Sequence, residues 1–248
     1  MRVAGPWFAC VFLPWTLAAC ATPSSTGGAP PSVLLFNGDG TSVNDVAAFE
    51  RLLDEHRIGY TAVSSRRLDT MTDAELAAYR LVLIPGGNFE QIGNRLSPRT
   101  TTRVRTAVGN GLAYLGVCAG AFFAGHSPYN GLDITSGVRF PFYALEDRGI
   151  RKAAVTITTA AGPTLDHYWE DGPQLAGWGD VVARYPDGTA AVVQGTYGKG
   201  NVILSGIHPE APESWRHGLT FTTPARESNA YAVVLIDAAL HRRRLPHF

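Results

Sequence analysis

The chain has 248 residues, 45% of them apolar and 17% charged, with 21 Lys and Arg balanced by 21 Asp and Glu. This is enough for one globular domain with a sizeable core, and the zero net charge leaves no electrostatic footprint for nucleic acid, so no nucleic-acid partner is expected. Three cysteines are too few for a disulfide framework or a four-thiolate zinc site.

Residues 1–19 carry one basic residue, Arg2, followed by an uncharged apolar stretch through Ala19 that Gly5, Pro6 and Pro14 interrupt. It is too short for a comfortable membrane-spanning helix and reads as a secretory signal peptide, with Cys10 discarded along with it. Leu17-Ala18-Ala19-Cys20 resembles the lipobox of bacterial lipoproteins, which implies cleavage before Cys20 and a lipid on its sulfur. The alternative is a signal cut at a nearby small-residue site, with Cys20 an incidental thiol. Residues 20–32 continue as a Pro, Gly, Ser and Thr tract, too poor in apolar residues to fold, and suit a flexible tether. The expected location is the cell envelope, on a membrane anchor facing away from the cytoplasm.

Residues 33–248 form the expected domain. Val33 to Phe36 is a short apolar run ending in the turn Asn37-Gly38-Asp39-Gly40, as a buried first strand requires. Ser42 then caps a helix with apolar Val46, Phe49, Leu52 and Leu53 at helical spacing. Tyr60 to Val63 is a second strand, Thr72 and Glu75 form a capping box, and Leu81 to Ile84 is a third strand stopped by Pro85-Gly86-Gly87. Ser97-Pro98 opens another helix, and Leu112 to Val117 is a fourth strand that ends at Cys118. Val155 to Thr158, Val181 to Tyr185, Ala190 to Gly195 and Val202 to Ser205 read as strands, the last three as antiparallel hairpins, and Thr223-Pro224 opens a final helix through Leu240. Strands alternating with helices predict an α/β fold: a flavodoxin-like three-layer sandwich with a mainly parallel central sheet and an antiparallel extension in the C-terminal half. Ligands of such sheets sit beyond the carboxyl ends of the strands, where Gly86, Gly87 and Cys118 fall.

Gly116-Val117-Cys118-Ala119-Gly120 places a thiol between glycines at a strand-to-helix junction, the geometry of a nucleophile elbow. The following helix aims N–H groups at the sulfur and favours the thiolate. A buried core cysteine is the competing reading. Among seven histidines His208 stands out, because Gly206-Ile207-His208-Pro209-Glu210 leaves a strand end just as Cys118 does. Glu210 is spaced to turn back on the imidazole and fix its tautomer. His126 is a rival base, carried away from the sulfur by the intervening helix. His167 and Glu170 lack further ligand-spaced residues, so no metal is expected. Asp39, Phe122, Tyr168 and Trp169 are candidate substrate contacts. Turn formation competes for Asp39, and a solvated loop with one buried ring competes for Tyr168 and Trp169. Arg242-Arg243-Arg244 ends the last helix, where cations suit the dipole, with membrane contact the alternative.

Pro85-Gly86-Gly87, Gly116-x-Cys118-x-Gly120 and His208-x-Glu210, in that order, resemble the class I glutamine amidotransferase-like superfamily. The closer match is to the amidotransferase-like module at the amino terminus of fungal biotin-protein ligases and its bacterial stand-alone relatives. The residues that carry it are Gly38 to Ser42, Gly116 to Phe123, Tyr168 to Pro173, and Tyr197 to Gly200 with Ser205 to Glu210. The resemblance implies a Cys118-His208-Glu210 triad and an oxyanion hole from the N–H of Ala119 and one from Gly86 or Gly87. Two departures set limits. Glutaminases of the superfamily carry a glutamine four residues after the nucleophile, where this chain has Phe122, and this length has no room for a ligase catalytic domain. With no Gly-rich phosphate loop, no cofactor is expected. The sequence therefore points to an ATP-independent cysteine hydrolase or acyl transferase acting on an envelope amide or peptide. The alternative is an inactive lipoprotein using the same cleft for ligand or partner binding.

Overall fold

The computed structural model describes Met1 and residues 32–160, 162 and 164–248. The rest of the expected leader and tether, including Cys10 and Cys20, lies outside the described residues. Among those described, no helix is long and apolar enough to cross a membrane.

The first half alternates strictly. Strand β1 (Val33–Phe36) leads to α1 (Val43–Glu55), β2 (Tyr60–Val63), the short α2 (Ser65–Thr70) and α3 (Asp73–Ala77), and β3 (Leu81–Ile84). Then come α4 (Phe89–Arg95), α5 (Pro98–Asn110), β4 (Ala113–Val117) and α6 (Ala119–Ala124). The caps explain the starts. Ser42 Oγ accepts from the Asp45 N–H, Thr72 and Glu75 close a reciprocal capping box, and Ser97 caps α5 with Pro98 in its first turn. Helices α2 and α4 have no counterpart in the sequence reading, since both are too short to show a period.

The second half is a run of strands, β5 (Lys152–Thr159), β6 (Leu165–Glu170), β7 (Asp180–Arg184), β8 (Ala190–Tyr197) and β9 (Gly200–Ser205), closed by α7 (Ala225–His241). The described residues build one nine-stranded sheet in the order β2-β1-β3-β4-β9-β8-β7-β5-β6. From β2 to β9 the neighbours are parallel, and from β9 to β6 antiparallel. This is the expected α/β sandwich with its antiparallel extension. The parallel strands β1, β3 and β4 are buried along their whole length, because helices cover both faces.

Segment 168–171 corrects the reading of a solvated loop. Tyr168, Trp169 and Glu170 belong to β6, paired with β5, and both rings are buried. Polar residues at 166, 167 and 170 hide the strand from a hydrophobicity pattern. They are tolerated because Asp166 accepts hydrogen bonds from Thr156 and Thr222.

Candidate active site

Strands β4 and β9 are parallel neighbours, so their carboxyl ends open side by side. The first ends at Cys118, whose N–H donates to the Ser205 carbonyl of the second at 2.8 Å. Three residues after Ser205 comes His208, its N–H donating to the Tyr168 carbonyl at 2.8 Å. The loop beyond is pinned from two helices. Arg51 on α1 donates to the Glu210 carbonyl and to Asn229 Oδ1, and Asn229 on α7 donates to the carbonyls of Pro209 and Ala211. Cys118 is in this way brought to the same end of the sheet as His208 and Glu210, which lie far along the chain from it.

Cys118 sits at the head of α6 with φ 50° and ψ −106°, a left-handed backbone that is strained for a residue with a side chain. Its thiol is buried and donates to the Glu170 carbonyl at 3.4 Å. The turn closes because Gly120 presses on β3, and Gly116 faces the Gly120 carbonyl. Among the described residues, neither the N–H of Ala119 nor that of Gly87 has an acceptor. Gly87 takes φ +141°, and a Cβ there would lie 2.1 Å from the Gly40 carbonyl oxygen, so only glycine fits. Gly86 is glycine for a different reason: its missing Cβ leaves room for Asp45 and His208.

His208 is buried among Cys118, Tyr168, Trp215 and two carboxylates. Nδ1 lies 2.9 Å from Glu210 Oε1 and 3.1 Å from Asp45 Oδ1, while Nε2 has no hydrogen-bond partner among the described residues. Tyr168 and Trp215 stand edge-on to its ring at 5.8 and 6.0 Å between centroids. Burial alone would push the imidazole down, but the neighbouring Cys118 sulfur and the Glu210 and Asp45 carboxylates outweigh it and hold His208 well above its usual range. Burial raises Glu210 despite its imidazole partner. Asp45 is also buried, yet its contact with the His208 imidazole and the cap at Ser42 bring it below the usual carboxylate value.

Asp45 is a neighbour of His208 that the sequence reading missed, because an acid three residues after a Ser cap reads as ordinary helix chemistry. Trp215 lies in a one-turn 3₁₀ helix, Glu213–Arg216, too short to show a period in the sequence. Other candidates separate. Phe122 lines a cavity of about 260 Å³ that has Cys118, Phe89, Phe142, Arg151 and Asp171 on its walls. Tyr168 lines a neighbouring cavity of about 460 Å³ with Asp45, Glu170 and Trp215. Trp169, the next residue along β6, is fully buried and packs edge-on against Tyr143, so it does not contact either cavity. Asp39 is exposed in its turn, with its N–H on Ser65 Oγ, and lines neither. His126 pairs with Asp133 at 3.6 Å, away from the sulfur. The three arginines after α7 are engaged internally: Arg242 with the Gly111 carbonyl, Arg243 with Asp237 and Arg244 with Asp180. A larger hollow of about 740 Å³ opens near Tyr79, Arg80 and Gly111, just before β3 and β4 begin, at the end of the sheet opposite Cys118.

The ligand atoms of Asp45, His208 and Glu210 lie within 4.8 Å of one another. Of the two carboxylates, Glu210 is hydrogen-bonded to Nδ1, and Asp45 stands in charge contact with the same nitrogen. Chemically the arrangement offers a thiol, an imidazole beside two carboxylates, and the N–H groups of Ala119, next to Cys118 in the chain, and of Gly87, on the wall of the cavity that Cys118 lines, neither with an acceptor among the described residues.

Comparison with known proteins bears on the family and the fold. Residues 31–130 match the family described as biotin-protein ligase, N terminal. A biotin-protein ligase of Schizosaccharomyces pombe is 26% identical over 212 residues, spanning 72% of this chain and 33% of the ligase. The chain thus spans about a third of the length of that curated relative. A crystal structure of a glutamine amidotransferase superposes with a TM-score of 0.57 at 19% identity, covering 80% of this chain and 99% of its own. A cytoplasmic protein from Salmonella typhimurium follows at 0.53 and 13%, covering 83% and 98%. These structures share the fold.

Proposed function

We propose, from the premise that this chain is similar to the class I glutamine amidotransferase-like superfamily and to the N-terminal module of biotin-protein ligases, that it is a cysteine amide hydrolase or acyl transferase. In this reading it is exported, anchored through a lipid on Cys20, and acts on an amide or peptide of the cell envelope. The observation that carries the chemistry is the buried imidazole of His208, held by Glu210 at 2.9 Å beside the strained elbow of Cys118.

The steps follow from the groups present. With the proton on His208, the Cys118 thiolate attacks the amide carbon, forming a C–S bond, and the carbonyl oxygen takes the negative charge. The N–H groups of Ala119 and Gly87 hydrogen-bond to that oxygen, and the position of Gly86 keeps the turn open. His208 gives its proton to the leaving nitrogen as the C–N bond breaks, leaving a thioester. His208 then takes a proton from water or an amine, which attacks the thioester carbon. The C–S bond breaks, releasing an acid or a new amide and returning the sulfur to its starting state.

Hydrolysis of free glutamine is not part of this proposal, because Phe122 stands where glutaminases carry a polar contact, stacked on Phe89 at 4.7 Å. Biotin ligation is not part of it either: the ligase relative is matched over 33% of its length, and the groups beside Cys118 suit thioester chemistry.

The test is incubation of the purified protein with cell-wall fragments, followed by assay for released ammonia, amine or new amide bonds. Product formed by the wild type and absent with Cys118→Ser supports the reading. A cleft that binds such fragments with no Cys118-dependent product favours the inactive binding lipoprotein instead. For the anchor, mass spectrometry of the membrane fraction is expected to find lipid on Cys20, and a mature form beginning elsewhere overturns it.

A further inference from the structure

An imidazole carries one proton at Nδ1, but His208 presents that nitrogen to two carboxylates reaching it from different elements. Glu210 Oε1 comes from its own loop at 2.9 Å, and Asp45 Oδ1 from the first turn of α1 at 3.1 Å. All three side chains are buried. Two carboxylates this close, both buried and facing one imidazolium, do not both ionise without cost. Their surroundings differ. Asp45 lies in the first turn of a 13-residue helix, where the aligned peptide dipoles favour a negative charge. Glu210 is completely buried, and its Oε2 has no hydrogen-bond partner among the described residues.

The fold makes room for Asp45. A Cβ on residue 86 would lie 2.1 Å from Asp45 Oδ1 and 2.8 Å from His208 Cε1, so glycine there lets the carboxylate reach the ring. Ser42 caps the Asp45 N–H and fixes the turn that aims it. Any side chain at residue 86 would close this line of approach.

Resting on the cysteine chemistry proposed above, we propose that Asp45 is a second positioning residue: its carboxylate, 3.1 Å from Nδ1, supplies the charge that stabilises the His208 imidazolium, while Glu210 takes the Nδ1 hydrogen bond. Glu210 orients the ring through its hydrogen bond and is the carboxylate that first takes up a proton. The groups facing His208 from the surrounding elements are Cys118 at the end of β4, Tyr168 on β6, Tyr185 after β7, Asp45 on α1 and Glu210 in its own loop. Of these, Asp45 and Glu210 touch Nδ1. Burial raises both tyrosines further above their usual range, so they stay neutral through the working pH range.

The test reads His208 directly, by nitrogen-15 NMR of its imidazole in the full chain, alongside the rate of Cys118 alkylation by iodoacetamide at pH 7. Asp45→Asn is expected to lower the His208 midpoint by about one unit and slow alkylation about tenfold, the two being the same free energy. Glu210→Gln is expected to slow alkylation by a smaller factor, about threefold, which is roughly half a unit. If Asp45→Asn leaves the midpoint in place, or Glu210→Gln shifts it as far, the assignment is overturned. A structural role alone would lower the melting temperature without moving the midpoint. Should Asp45→Asn fail to fold, Gly86→Ala displaces the carboxylate while keeping its charge, and is expected to lower the same midpoint; no shift overturns the assignment. If no amide is turned over yet Asp45→Asn moves the midpoint, the proposed reaction fails and this assignment stands.

Discussion

Gly120 and Ile84 meet backbone to backbone: a Cβ on residue 120 would lie 2.0 Å from the Ile84 carbonyl oxygen. This contact seats α6 against β3 and sets where Cys118 points. Because the obstructing atom is backbone, it cannot swing aside. Gly120→Ala is expected to destabilise the fold by about 3 kcal/mol, the upper range for overpacking, and to slow Cys118 alkylation. Gly109→Ala is the control. It lies in α5, where the new methyl meets only Tyr197 at 3.5 Å, an ordinary contact. It is expected to stabilise by about 0.5–1 kcal/mol through helix propensity. Urea unfolding of both variants separates the two cases.

Phe122 stacks on Phe89 at 4.7 Å and tilts against Phe142 at 4.8 Å, so one ring wall closes the cavity beside the sulfur. Phe122→Ala is expected to cost about 3 kcal/mol, as for other buried phenylalanines, and to enlarge that cavity. Thermal unfolding measures the first effect. Faster alkylation of Cys118 by bulky haloacetamides than in the wild type, relative to iodoacetamide, measures the second.

His167 is fully buried, and neither ring nitrogen has a hydrogen-bond partner among the described residues. Burial, aided by the nearby charge of Arg216, pushes its pKa down from 6.5 to about 3. Above pH 6.5 neither the folded nor the unfolded state holds this proton. Between 6.5 and 3 only the unfolded state does, so stability falls as the pH falls. The slope from this one group is about 1.4 kcal/mol per pH unit. His167→Met removes the group without adding a charge. The stability difference between variant and wild type is therefore expected to shift in favour of the variant from pH 6.5 down to pH 4, measured by urea unfolding at each pH. A pH-independent difference would overturn it.

Arg216 ties the loop carrying Trp215 to the start of α7, donating to the Thr223 carbonyl at 2.6 Å and to Ser228 Oγ at 2.7 Å. It also lies over the Phe221 ring at 4.3 Å. Arg216→Met keeps the apolar stem but leaves a buried carbonyl unpaired, at an expected cost of about 1–3 kcal/mol. Since Trp215 is one wall of the His208 site, the same variant is expected to broaden the His208 imidazole signal.

Local rules were enough to specify much of this molecule. Apolar runs of four or five residues, Ser and Thr caps, and Pro-Gly-Gly or Gly-x-Cys-x-Gly junctions are each written in a few adjacent residues. They fixed the parallel half of the sheet and located Cys118, His208 and Glu210 at strand ends. Strand β6 was not legible, because its buried Asp166 is satisfied by Thr156, Thr222 and Thr223 from other elements and its buried His167 is kept neutral by burial, neither of which a hydrophobicity pattern shows. Asp45 was disguised by its own helix, where an acid near the N-terminus has an ordinary explanation. What only the tertiary structure decided is how these pieces converge. β9 lies next to β4, which puts His208 beside Cys118, and α1 packs where Gly86 has no side chain, which brings a second carboxylate to the same imidazole. Contacts of that kind depend on which strands are neighbours and on atoms that glycine lacks, and neither is a property of any short stretch of sequence.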